Sequence, residues 1–325
     1  MERADDLQRR RPLVGFPLAV LYKFSDDQGN YLAAVVTYYA FVAIFPLLLI
    51  ASSILGFVLQ GDKELQTQVL DSALSRFPIV GSQLATPEGL RGSTSAVVIG
   101  SVAALYGVLG LGQAAQNAVN VAWAVPRNSR LNPILSRISS LFLLVLAGLT
   151  VLAITILTSV ASHVDVFGRD AAAGFGWLLT LGSVVLNAAV LAVMMRFATT
   201  HRQSFRASLP GALVVAVLWQ ALQSLGGAYV EHVVNKADDV NKTFALVLGL
   251  LGLLYIASVS AVVGLEVNVV LVRRLYPRAL LAPFTDAVQL TDADRRAYSD
   301  YAKAQRHKGF QKVRVSFRPR DGKQD

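Results

Sequence analysis

The sequence predicts an all-α membrane protein, a six-transmembrane-helix bundle with short interfacial helices and both termini in the cytoplasm. Three observations carry that prediction. Only 16% of the 325 residues are charged and 54% are hydrophobic, against about 25% charged in a typical soluble domain. Six apolar stretches each reach the roughly 20 helical residues needed to cross a hydrocarbon core of about 30 Å. The bases between them fall mostly on one side.

The first segment, residues 1–31, carries Arg9-Arg10-Arg11, which resembles the positive start of a signal peptide. Pro12–Asn30 is amphipathic and contains Asp26 and Asp27, and the apolar run that follows exceeds the roughly 7–15 residues of a cleavable signal. Leu18–Phe24 reads as a short interfacial helix with Val20, Leu21 and Phe24 on one face.

The membrane domain covers residues 32–272, with spans at Leu32–Leu59, Ser93–Val121, Ile138–Ser162, Trp177–Phe197, Ala207–Val230 and Thr243–Val272. Between the first two, Leu65, Val69, Leu70, Ala73, Leu74 and Phe77 recur at helical spacing before Pro78. They predict an amphipathic outer helix over about 63–77 that lies on the membrane surface or caps the bundle, with a lid over a cavity as the alternative. Within the spans, Gly100, Ala103, Gly107, Gly110 and Ala114, and again Ala257, Ser260, Ala261 and Gly264, form small-residue stripes. Such stripes let helix backbones approach closely, which is what drives association in lipid.

Charge placement sets the orientation. Of the 30 Lys and Arg, 24 lie in the N-terminal segment, the second and fourth connections and the tail, and 6 lie in the other connections. The positive-inside rule puts the richer side, and with it both termini, in the cytoplasm. The tail, residues 273–325, holds 13 of these bases. Phe310 and Phe317 are interleaved with Lys308, Lys312, Arg314, Arg318, Arg320 and Lys323, but no nucleic-acid motif accompanies them. The tail therefore reads as solvated or drawn to anionic lipid at about 1 kcal/mol per base, and no nucleic-acid partner is expected.

Polar residues inside the spans point to the mechanism, because lipid penalises them unless they face a partner or water. Glu266 is the one acid within a span, about 10 Å along the helix from Arg273. Residue counts from the loops bring Tyr38, Asn120 and Asn187 to similar depth. Tyr39, Asn117 and Asn268 lie nearby in sequence, and Gln220, Gln223 and Tyr255 lie where a path across the bilayer would need them. In one reading this layer faces a cavity and binds a cation, a proton or a basic headgroup. In the other, Glu266 accepts hydrogen bonds from Tyr or Asn, or pairs with a loop arginine, and sets helix register.

Leu32–Leu49, reading LAAVVTYYAFVAIFPLLL, resembles the first span of the YihY/BrkB family, with its tyrosine pair and downstream proline. Leu209–Val230, with Pro210-Gly211-Ala212, Trp219 and Tyr229, is similar to that family's fifth span. Gly264, Glu266 and Asn268 in GLEVN resemble the end of its sixth, and Gln116–Pro126 the segment after its second. A tryptophan common in the sixth span gives way to Leu253-Leu254, with Tyr255 as the aromatic substitute. The resemblance implies a six-span bacterial inner-membrane protein linked to envelope properties, with transport of ions or lipids as the activity proposed for some members. An old ribonuclease label on the family finds no support in the residues. The four histidines lack metal-ligand spacing, there is no cysteine, and neither a phosphate-binding glycine loop nor a serine nucleophile elbow is present. No enzyme and no cofactor are expected. Two classes remain: a transporter of ions or lipids, and a non-transporting scaffold that organises envelope proteins.

Overall fold

The computed structural model describes residues 5, 8–9, 11–58, 94–162, 168–200, 203–229, 231–232, 239–286 and 288–318. The outer helix expected over 63–77 lies outside the described residues. Eight α-helices and no strand occur among them: α1 Pro12–Asp26, α2 Gly29–Val58, α3 Thr94–Ala122, α4 Pro133–Ser162, α5 Gly168–Phe197, α6 Phe205–Tyr229, α7 Asp239–Arg273 and α8 Asp292–Ala304. Helices α2 to α7 run 25 to 35 residues, and each carries one of the six apolar stretches. Among the described residues, Phe205–Tyr229 and Phe244–Arg273 are long and apolar enough to cross a membrane.

Each long helix packs on its neighbours in sequence, and α7 closes the series by packing on α2. The six form a ring, with α7 leaning further inward against α3 and carrying α1 at its end. Small residues permit the close approaches. Gly107 of α3 lies against Val42 and Ala43 of α2, and Gly110 lies under the Tyr39 ring. The tightest crossing joins α6 to α7, where a Cβ on Gly211 would collide with the Gly264 carbonyl and the Asn268 amide. Gly211→Ala is expected to force these backbones apart at a cost of about 1–3 kcal/mol. A melting curve of the purified protein in detergent checks it, and an unchanged midpoint would mean that the helices do not meet there.

Two of the long helices end alike without glycine. Ala124, φ 47°, follows α3, and Arg274, φ 53°, follows α7. Val125 N–H donates to Asn120 and Leu275 N–H to Val270, each a six-residue closure that satisfies late carbonyls of its helix. The two ends sit side by side: the Arg273 guanidinium donates to the Trp123 carbonyl and lies 5.8 Å from the Trp123 ring.

Two expectations about the chain ends need correction. Val20, Leu21 and Phe24 do not share a face, because Val20 and Ala19 are buried against the bundle while Leu21 points outward with Leu13, Val14 and Pro17. The inward face also carries Lys23, so α1 docks through a charge and turns a different apolar stripe out. The segment after α7 is not a solvated tail throughout. Leu275, Arg278, Ala279, Ala293, Asp294 and Ala297 are buried. Helix α8 opens with a capping box in which Thr291 and Asp294 satisfy each other's backbone N–H. Its buried residues are two alanines and a paired aspartate, which is why hydropathy did not reveal it.

Candidate functional site

Glu266 sits on α7 with its side chain fully buried. Helical phase puts it on the side of α7 that meets α1, four residues before Val270 in the same packed stripe. No N–H or O–H among the described residues donates to either of its oxygens. Its ion-pair partner is Lys23 of α1, whose Nζ lies 3.4 Å from Oε2. Asp27, one turn beyond Lys23, is paired with the same ammonium and stands close enough to Glu266 for their charges to interact. The i,i+4 spacing of Lys23 and Asp27 presents both from one face of α1.

Lys23 is held on every side. It donates to Asp27 and, at 3.0 Å, to the Ala122 carbonyl at the end of α3. Its ammonium also stands 5.1 Å from the Tyr301 ring of α8. Burial pushes the Asp27 carboxyl above its ordinary value, and the Lys23 ammonium offsets only part of that rise. Burial, followed by the carboxylates of Asp27, Asp26 and Glu266, keeps the Tyr301 phenol protonated. The cluster thus sets two carboxyl groups against one ammonium, out of contact with solvent.

A second buried cation adjoins the first. Arg278, fully buried, donates to Asp294 and, at 3.0 Å, to Asp26, and stands 5.4 Å from the Tyr298 ring. Burial opposes its charge, but Asp294 and Asp26 outweigh burial and hold the guanidinium protonated. Asp294 also accepts from the backbone N–H of Ala279 and of Thr291. Arg278 therefore fastens α8 to α1 just below Lys23.

The residues expected to form one polar layer are dispersed. Asn120 is buried but accepts from Thr199 at 2.8 Å. Asn268 clamps the second turn of α6: it accepts from Gly211 N–H at 2.7 Å and donates to the Ser208 carbonyl at 3.1 Å, next to Pro210, which has no N–H. Asn187 is half-buried on α5, a helix that packs on α4 and α6. Tyr38 points outward, 55% exposed, because Thr37 takes the inward position and bonds Ser258 of α7. Tyr39 packs against Tyr38 and Tyr106. Asn117 lies on the surface and accepts from Arg130, Gln220 and Gln223 are half-buried, and Tyr255 faces out. Tyr255 is therefore no aromatic substitute in the core; Leu253 fills that position with Leu222 and Leu250, and Trp219 packs against them. The partner of Glu266 is a lysine of the N-terminal helix rather than a loop arginine. Lys23, Asp27, Arg278 and Tyr301 escaped the sequence reading, and the one signal for the first two was an i,i+4 ion-pair spacing on the inward side of an otherwise apolar helix.

The tight α6–α7 crossing brings Pro210-Gly211-Ala212 into contact with GLEVN, so the two most specific sequence blocks are one structural unit. A comparison with protein families matches residues 20–287 to the family described as virulence factor BrkB. Neither the curated proteins nor the solved structures gave a match. With its match running from α1 through the segment after α7, this chain belongs to the BrkB virulence-factor family, a family of membrane proteins.

Proposed function

We propose that the protein spans the bacterial inner membrane with all six helices α2 to α7, keeps both termini in the cytoplasm, and moves an ion or a lipid across the bilayer. The strong bias of bases toward the connections on the side of α1 and α8 supports the orientation. The transport reading rests on the composition of the buried cluster. A structural ion pair needs one charge of each sign, whereas Asp27 and Glu266 share one Lys23. An acid that shares its one counter-charge with a second carboxylate at the end of a membrane helix is suited to couple uptake of a proton or a cation to a conformational change.

The test is flux in proteoliposomes, comparing proton and cation movement with scrambling of a fluorescent lipid. Glu266→Gln is expected to abolish the active mode while leaving the protein inserted and folded, because Lys23 and Asp27 remain a neutral pair. Full activity in that variant would exclude the coupling role. The scaffold reading draws its support from the saturation of Lys23, which ties α1, α3, α7 and α8 at one point. Absence of all three fluxes in the unaltered protein would favour it. Catalysis has no place in either reading.

A further inference from the structure

Beside the buried cluster, at the end of α7, lies a cavity of about 630 Å³ bounded by Arg273, one face of α8 and the extended segment that carries Val315 and Phe317. Asp292, Arg295, Arg296, Ser299 and Lys303 recur at three- and four-residue steps and so stand in one row on α8. Four cationic side chains and two acidic ones line the cavity. Arg273 is already neutralised by Asp300 at 2.6 Å. Arg296 donates to the Arg274 carbonyl. Arg295 and Lys303 have no side-chain partner among the described residues. They stand about 12 Å apart along the helix, with Asp292 the one acid in the row whose charge is uncommitted.

We propose that this cavity binds a phosphate-bearing anion, the phosphodiester headgroup of an anionic membrane lipid. Like charges gathered around a concavity repel one another unless an anion occupies it, and a guanidinium matches phosphate oxygens in geometry as well as charge. The location agrees: Arg273 ends the apolar run of α7, so the cavity opens at headgroup depth, given the reading of α7 as membrane-spanning. Leu275, Val315 and Phe317 supply an apolar wall that fits a glycerol backbone and is superfluous for a free phosphate ion.

The experiment is native mass spectrometry of the full chain in detergent, titrated with short-chain phosphatidylglycerol, phosphatidylcholine or inorganic phosphate. The unaltered protein is expected to retain one phosphatidylglycerol in preference to phosphatidylcholine. Arg295→Gln with Lys303→Gln, both at exposed positions, is expected to weaken that binding by at least about tenfold with an unchanged melting temperature. Displacement of the lipid by inorganic phosphate at similar concentration would assign the site to a soluble phosphate compound. Equal retention of the two lipids, or undiminished binding in the double variant, would overturn the proposal. Flux plays no part in this readout, so the site and the transport reading fail separately.

Discussion

Lys23→Met is expected to destabilise the protein by about 3–5 kcal/mol, the cost of leaving buried charge without its partner. The methionine fills a similar volume, so the loss is electrostatic rather than a matter of packing. Lys23 is 2% exposed and, among the described residues, supplies the only ammonium facing Asp27 and Glu266, and the Ala122 carbonyl loses a donor as well. Thermal unfolding in detergent measures the effect. Combining the change with Asp27→Asn and Glu266→Gln is expected to recover most of the stability, because a fully neutral cluster no longer pays for burying charge. A cost under about 1 kcal/mol for Lys23→Met alone would mean that water reaches the cluster.

Arg278→Met is expected to cost a similar 3–5 kcal/mol, but to express it locally. The residue is fully buried between Asp26 of α1 and Asp294 of α8, so its loss places two carboxylates near each other with no cation between them. Asp294 keeps its backbone donors at Ala279 and Thr291, which preserves the start of α8 while its attachment to α1 weakens. Hydrogen exchange is expected to rise across residues 292–304 and proteolysis to increase after Arg274, with α2 to α7 little changed. Arg278→Lys is not expected to rescue the docking, since one ammonium cannot reach both carboxylates with the fork of a guanidinium. Exchange in α8 that stays at the unaltered level would show that its apolar contacts alone hold it.

Residue counts along the spans gave Tyr38 and Glu266 the same depth, yet one points outward and the other into a sealed cluster. Distance from a loop measures height along a helix axis. Each residue also turns the side chain by about 100°, and nothing in a uniformly apolar helix states which side faces its neighbours. That is why Thr37, one position before Tyr38, is the residue that meets α7. Where polarity is paired with a backbone irregularity, the sequence specifies more. Pro210 lacks an N–H, Gly211 permits close contact, and Asn268 accepts from the Gly211 N–H and donates to the Ser208 carbonyl beside it. The blocks that carry the family resemblance are the blocks that touch.

The sequence by itself determined the six long apolar helices, the bias of charge to one end and the family. Those properties follow from stretch length, local composition and short motifs, all of which are read along the chain. Tertiary structure alone decided that α1 and α8 fold onto the end of α7, and that Glu266 meets Lys23 and Asp27 there. The pairing joins residues about 240 positions apart, one on the short first helix and one near the end of the last long one. Burial of a charge depends on where its counter-charge arrives in space, and no periodicity within either segment encodes that meeting.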